Sequence, residues 1–262
     1  MQPLLSLQDV SFSYHNLKGE TTALFHISFD VLPGEFLAIV GPSGCGKSTL
    51  LSIIAGLLAP EEGFLLYKGQ HIPPGTGQTD FKIGYMLQRD HLFEWRTIYQ
   101  NVILGLELSH TITPDRISYV MHLLEDYDLY TFKDKKPSEL SGGMRQRAAL
   151  IRTMAIHPDL LLLDEPFSAL DFQTRLTVSA DIANIIRKTG KTALLITHDL
   201  SEAITLADRV LVLSRRPATI KGELAISYDT TRNDPLAIRS TKEYQSYFNQ
   251  LWEVLTDGTI AN

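Results

Sequence analysis

The 262-residue chain carries 44% apolar and 21% charged residues, a formal charge of −6 and a single cysteine, Cys45. That length buries a full core as one large α/β domain or a domain plus subdomain, and the negative balance argues against binding nucleic acid or anionic membrane through bulk charge. One thiol excludes an intrachain disulfide framework and a zinc ribbon and fits a reducing cytoplasm. No stretch approaches the roughly 20 apolar residues that span a bilayer, and Met1-Gln2-Pro3-Leu4 lacks the basic start and apolar core of a signal peptide, so a soluble chain is expected.

Residues 4 to 14 alternate like a strand, but the apolar phase slips from Leu5 and Leu7 to Val10, Phe12 and Tyr14, which a bulge near Gln8-Asp9 reconciles. A polar loop, Asn16 to Glu20, precedes a second strand over Thr22 to Val31, ended by the turn Leu32-Pro33-Gly34-Glu35. The apolar run Phe36 to Val40 reads as a buried strand, and Leu50, Leu51, Ile53, Ile54, Leu57 and Leu58 recur at helical spacing. Short strands follow at Phe64 to Tyr67 and Lys82 to Leu87, separated by a glycine and proline loop, Gly69 to Gln78. From Arg89 to Pro158 the patterns turn helical. Thr113 as N-cap and Pro114 at the first helical position open a helix with Ile117, Val120, Met121 and Leu124 on one face.

The β/α rhythm then resumes. Leu160 to Leu163 and Ala193 to Ile196 are continuous apolar runs of the kind buried on both faces of a parallel sheet. The helix between them, marked by Leu176, Ala180, Ala183 and Ile186, ends at Arg187, Lys188 and Gly190, and Val210 to Leu213 forms a further strand. Past a polar stretch, Tyr228 to Asp234, the capping box Ser240 to Glu243 opens a helix with Tyr244, Tyr247, Phe248, Leu251 and Leu255 on one face. That face either packs on its own domain or receives a partner.

Between strand and helix lies Gly41-Pro42-Ser43-Gly44-Cys45-Gly46-Lys47-Ser48-Thr49. Strand, glycine loop, helix is the context of a P-loop, in which backbone N–H groups, the helix N-terminus and Lys47 converge on a triphosphate. Ser48 supplies a hydroxyl suited to Mg²⁺. Asp164 and Glu165 stand at the C-terminal end of the Leu160 to Leu163 strand, the edge where ligands bind in open parallel sheets. They read either as a helix-capping feature or, beside a P-loop, as a catalytic pair. In that second reading Asp164 holds Mg²⁺ and Glu165 polarises the attacking water. Cys45, a thiol beside a phosphate nest, is expected to have a lowered pKa, with alkylation blocking the loop's function and a bound triphosphate protecting.

Leu140-Ser141-Gly142-Gly143-Met144-Arg145-Gln146-Arg147, before the acidic pair, resembles the signature motif of ATP-binding cassette (ABC) ATPases. The remaining parts fall in that family's order over residues 4 to about 217: Tyr14 resembles the adenine-stacking A-loop aromatic, Gln88 the Q-loop glutamine, Ser168-Ala169-Leu170-Asp171 the D-loop and His198 the switch histidine. The resemblance implies an α/β P-loop NTPase (RecA-like) core with an N-terminal antiparallel β subdomain over 1–88 and 159–220. It also implies an inserted α-helical signature subdomain over 89–158 and a C-terminal extension over 221–262. It implies ATP and Mg²⁺ as cofactors, with Ser48, Gln88 and Asp164 at the metal and Glu165, His198 and Gln88 in catalysis. In the implied head-to-tail homodimer each ATP lies between one P-loop and Ser141, Gly142 and Gly143 of the other copy, and Asp171 helps join the subunits.

Gln88 to Thr97, Asn101-Val102 and Leu213-Ser214-Arg215-Arg216-Pro217 resemble importer ATPases of the nitrate, sulfonate and taurine type, a branch that also includes importers of thiamine-precursor pyrimidines. This implies an integral-membrane permease, an extracytoplasmic solute-binding protein and a peripheral place on the cytoplasmic face of the membrane. Leu92, Phe93 and Trp95 are apolar enough to line the permease groove and equally suited to local core, while Glu94, where relatives commonly carry proline, points to a less rigid loop. An exporter subunit and a nucleic-acid or ribosome-remodelling ABC ATPase are the rival assignments. The second usually brings a long coiled coil, two cassettes or cysteine-rich insertions, none of which the sequence carries. A P-loop kinase leaves Leu140 to Arg147 without a purpose.

Overall fold

The computed structural model describes residues 2–17, 19–73, 81–228 and 235–256. Strand β1 (Leu5–Asn16) pairs antiparallel with β2 (Gly19–Val31), and the phase slip is a bulge: the register shifts between Leu7 and Val10, with Asp9 at φ 55°. Pairing runs on to Asn16 opposite Gly19, so most of the stretch read as a polar loop is strand. Ladder hydrogen bonds extend the hairpin past its apolar part. β3 (Phe36–Val40), fully buried, leads through the glycine loop into α1 (Lys47–Ile54). β4 (Glu62–Tyr67) pairs with β1, and a two-residue strand inside the Gly69 to Gln78 stretch, β5 (Gln70–His71), pairs with β4. The antiparallel sheet therefore has the order β2-β1-β4-β5, and the rest of that stretch, from residue 74, lies outside the described residues.

After β6 (Ile83–Met86) come α2 (Ile98–Val102), α3 (Leu104–Leu108), α4 (Pro114–Asp126) and α5 (Gly142–Met154). The Thr113 hydroxyl accepts the Arg116 N–H at 3.3 Å as the expected N-cap of α4, whose Val120, Leu123 and Leu124 are buried. Then follow β7 (Leu160–Asp164), α6 (Phe172–Lys188), β8 (Thr192–Ile196), α7 (Leu200–Leu206) and β9 (Arg209–Leu213). Strand β10 (Ile220–Ala225), whose exposed and half-buried residues gave no clear apolar pattern, pairs antiparallel with β9. The last described elements are α8 (Pro235–Arg239) and α9 (Lys242–Thr256); residues 229–234 of the polar tail lie outside the described set. Thr241, not Ser240, caps α9: its hydroxyl accepts the Tyr244 N–H at 3.2 Å, while the Ser240 hydroxyl turns back to the Ala237 carbonyl at 2.7 Å. Helix α9 packs on its own chain, with Tyr244 and Leu251 buried in the main core and Tyr247, Phe248 and Leu255 against it.

The second sheet has the order β10-β9-β3-β8-β7-β6, and all its strands except β10 run parallel. Alternation splits its buried residues between two cores. Ala38, Val40, Leu161, Leu163 and Leu195 face the layer of α4 to α7 and α9, while Leu37, Ile39, Leu160, Leu162 and Leu194 face α1 and the antiparallel sheet. Each fully buried leucine contributes roughly 1.5–3 kcal/mol, so this doubly covered sheet is the rigid reference for every loop that leaves it. Among the described residues no helix is long and apolar enough to cross a membrane.

The antiparallel sheet is keyed by Gly63, at φ 75°, where an added Cβ would lie 2.3 Å from the Gln8 carbonyl oxygen and 2.4 Å from Asp9 backbone atoms. Neither the bulge backbone nor the turn can yield. Gly63→Ala is expected to cost about 2–3 kcal/mol, read as a lower urea midpoint with unchanged slope.

Candidate active site

The P-loop leaves the C-terminal end of β3 and is assembled without help from outside the chain. The Cys45 N–H closes a turn on the Pro42 carbonyl at 3.3 Å. Gly46, at φ 129°, passes so close to β2 that a Cβ would lie 2.9 Å from the Ala23 carbonyl oxygen, which only glycine allows. Lys47, buried at 6% exposure, donates from Nζ to the carbonyls of Gly41 (2.8 Å) and Pro42 (2.9 Å), so the cation is fixed inside the loop it serves. Ser43, Gly44, Ser48 and Thr49 complete one wall of a cleft of about 340 Å³. Tyr14 reaches the same helix start: its hydroxyl lies 3.0 Å from Thr49 Oγ1, its ring stands edge-on to Phe12, and 42% of its surface remains exposed.

The opposite wall comes from neighbouring strand ends, with Gln88, Asp164 and Glu165 lining the same cleft. Ser48 Oγ donates to Asp164 Oδ1 at 3.5 Å and the Tyr85 hydroxyl donates to Oδ2 at 3.4 Å. Burial pushes the Asp164 carboxyl up, against the Ser48 hydrogen bond and with the Glu165 charge; burial and the Asp164 charge push the Tyr85 phenol up to about 12. A half-buried carboxylate, a hydroxyl and the amide of Gln88 are hard oxygen donors that fit Mg²⁺. Glu165 takes φ 44°, a left-handed backbone unusual for this residue, and is pinned by its N–H to the Ile196 carbonyl at 2.9 Å. His198, two residues past β8, places Nδ1 3.2 Å from Glu165 Oε2. Gln88 Nε2 donates to Ser168 Oγ at 3.3 Å, and Ser168 Oγ donates to the Glu165 carbonyl at 2.9 Å.

The signature residues do not join this cleft. Ser141 caps α5, accepting the Met144 N–H at 3.3 Å, and with Gly143, Thr174 and Thr177 it lines a separate cleft of about 330 Å³ against α6. Gly142 opens the same helix beside Leu170. Asp171 caps α6 by accepting the Thr174 N–H at 3.1 Å, and the Thr174 side chain together with that N–H holds its carboxyl below the usual range.

Several charged residues to which the sequence motifs assigned no role hold these pieces in place. Arg145 Nε donates to Asp90 at 3.0 Å and Arg152 donates to the Asp90 and His91 carbonyls at 2.6 and 2.7 Å, strapping the segment after Gln88 to α5. Arg175 donates to the Leu170 carbonyl at 3.0 Å and lies 3.7 Å from Asp199, joining the segment before α6 to the one after His198. Buried Glu202, its carboxyl raised by burial, accepts the Thr197 hydroxyl at 2.6 Å. Only contact across the fold reveals these roles. Arg216 enters the P-loop cleft as well, donating from Nη2 to the Gly44 carbonyl at 2.8 Å.

The stretch Leu92 to Trp95 divides: Leu92 is core, whereas Trp95 is 72% exposed, its ring 4.7 Å from that of Phe93. Fully buried Asn101 holds this loop, accepting the Phe93 N–H at 2.7 Å and donating to the Phe93 and Thr97 carbonyls at 3.1 and 2.9 Å. Glu94 lies within the loop that this amide ties.

A glycine loop with a buried lysine, facing acidic strand ends of a parallel sheet, defines a P-loop nucleotide-binding protein. A family model described as "ABC transporter" matches residues 24–168. The chain is 44% identical over 96% of its length to an uncharacterized ABC transporter ATP-binding protein, YtlC, of Bacillus subtilis, covering 95% of that relative. It is 38% identical to a taurine import ATP-binding protein, TauB, of Roseobacter denitrificans (95% of this chain, 94% of the relative). The same identity holds with a nitrate import ATP-binding protein, NrtD, of Synechocystis sp. (96% and 94%). A solved dimeric post-hydrolysis structure of the ATP-binding cassette MJ0796 bound to ADP and Pi matches with a TM-score of 0.71 at 28% identity, over 86% of this chain and 99% of that one. The protein belongs to the ABC transporter family, as one of its ATP-hydrolysing ATP-binding subunits.

Cys45 corrects an expectation. Its side chain is buried at 2% exposure, and burial pushes the thiol up, outweighing the Lys47 charge that opposes it. Raising the pKa lowers the thiolate fraction at any pH below it. Iodoacetamide at pH 8 is therefore expected to leave Cys45 unlabelled in the folded protein, with or without ATP, and to label it fully in denaturant, as read by intact mass.

Proposed function

We propose that this protein is the ATPase of an importer for a small solute of the taurine, sulfonate or nitrate kind. It would act as a head-to-tail dimer on the cytoplasmic face of the membrane, docked on a separate permease that works with a solute-binding protein. The observation that carries the reading is that the P-loop cleft and the Ser141–Gly143 cleft are separate in one chain. A nucleotide touching both needs two copies, and the dimeric cassette bound to ADP and Pi supports that arrangement. The taurine and nitrate import relatives, similar along nearly the whole chain, support import of a small solute.

In this reading the amides of Gly41 to Gly46, with Pro42, Ser43 and Cys45 shaping the turn, and the Lys47 ammonium bind the ATP phosphates, Thr49 supports the helix start, and Tyr14 stacks on adenine. Ser48, Asp164 and Gln88 would hold Mg²⁺, which would supply charge neutralisation on the terminal phosphates. Glu165 takes a proton from the attacking water, and His198, against the Glu165 carboxylate, holds water and γ-phosphate in line. Ser141, Gly142 and Gly143 bind the γ-phosphate of the other copy, and Asp171 lies at the joint. Hydrolysis removes the charge bridging the copies, so the dimer opens and moves the permease through the Trp95 loop.

Glu165→Gln is expected to bind ATP, accumulate as a dimer on size exclusion and lose roughly 10²–10⁴-fold in turnover. Ser141→Arg is expected to abolish hydrolysis while a fluorescent ATP analogue still binds the monomer. Loss of monomer binding would contradict the two-copy site. Trp95→Asp is expected to abolish co-purification with the permease and to shift stability by no more than about 0.5 kcal/mol. A complex that survives that change would move the docking surface elsewhere.

A further inference from the structure

Every parallel strand of the second sheet ends at the same edge, and four of those ends carry the site just described: the P-loop after β3, Gln88 after β6, Asp164 at the end of β7 and His198 after β8. The remaining parallel strand is β9, hydrogen-bonded directly to β3. Its exit loop delivers Arg216 to the P-loop cleft. We propose that Arg216 is a second cationic ligand for the nucleotide phosphates, working beside Lys47; this rests on the P-loop reading above and adds a residue to it.

The loop is built to present that side chain. Ser214 Oγ accepts the Thr219 N–H at 2.8 Å and lies 2.8 Å from the Arg215 carbonyl oxygen, and the Ser214 N–H donates to the Thr219 carbonyl at 2.9 Å. Ala218 is strapped to β2 on both sides, its N–H to the Ala23 carbonyl and its carbonyl to the Phe25 N–H, each at 2.9 Å. Arg216 thus projects from a loop tied at both ends to sheets, the kind of support that holds a binding group in place.

Charge argues the same way. Lys47 and Arg216 on the cleft wall balance Asp164 and Glu165. Without Arg216 the lining is net negative, and a nucleoside triphosphate remains anionic even with its magnesium ion. The contact with Gly44 engages one of the five N–H donors of a guanidinium, whose planar fork suits phosphate oxygens. The side chain is exposed, so the Gly44 contact by itself adds little to stability.

The test uses the full-length chain and titration with a fluorescent ATP analogue plus Mg²⁺. Arg216→Ala and Arg216→Gln are expected to weaken binding roughly five- to tenfold, and Arg216→Lys to restore most of it. Binding to the wild type is expected to fall more steeply with salt than binding to Arg216→Ala. Glutamine keeps a donor for the Gly44 carbonyl but no charge, so wild-type affinity in Arg216→Gln, or unchanged affinity in all three variants, overturns the proposal. Lys47→Ala separates the two levels. If it loses binding while the Arg216 variants keep it, only the role of Arg216 fails. If it too binds normally, the P-loop reading fails and takes this proposal with it. Unfolding midpoints of the ligand-free variants are expected to match wild type; should Arg216→Ala not fold, the Gln and Lys pair still decides.

Discussion

Parallel pairing is the constraint from which the rest of this molecule follows. Two parallel strands cannot be joined by a tight turn, so each must be followed by a crossover that carries the chain back to the start edge. The C-terminal ends of β9, β3, β8, β7 and β6 are thereby gathered on one edge. Residues as distant in sequence as Lys47, Gln88, Glu165 and Arg216 reach one cleft because their strands are neighbours in hydrogen-bond register. The two cores that cover the sheet make that register costly to disturb, since a slip of one residue would turn Leu161 and Leu163 out of one core and Leu160 and Leu162 out of the other.

On that edge the loops are joined laterally by charged side chains, so they are not independent. Arg145 and Arg152 on α5 hold Asp90 and His91, and through Asn101 the same region fixes the backbone under exposed Trp95. The first turn of α5 holds Gly142 and Gly143. Arg175 makes a parallel link from Leu170 to Asp199, beside His198. The signature helix and the segment after Gln88 are thus joined by one hydrogen bond to the Asp90 carboxylate and two to backbone carbonyls, and Arg175 joins Leu170 to Asp199 by a backbone hydrogen bond and an ion pair.

The site also holds local tension. Glu165 sits in a left-handed conformation held by Ile196, and burial pushes the Asp164 carboxyl up. Backbone strain and desolvated carboxylates gather where a fold is arranged for chemistry rather than for its own stability. Cys45, in the same loop as Lys47, is the counterexample: depth in the core, not proximity to the cation, governs its thiol.

The β-rich start, the helical stretch that interrupts the β/α rhythm and the return of that rhythm were legible in the sequence, as were the bulge at Asp9, the Thr113 cap, the parallel strands and the P-loop, acidic pair and signature. Each is written in residue type and short-range spacing: apolar alternation, glycine where φ is positive, a hydroxyl before a helix. What depended on long-range contact was not legible there. Strand β10 and the full length of the β1–β2 hairpin rest on partner strands, the cap of α9 on a choice between adjacent hydroxyls, and the clamps at Asn101, Arg175 and Arg216 on partners far along the chain. By itself the sequence determined that a phosphate-binding loop and a signature helix exist. Only the tertiary structure decided that they open into different clefts and that the β9 loop brings Arg216 to the P-loop, because strand order and crossover geometry, not spacing in the chain, set which loops meet.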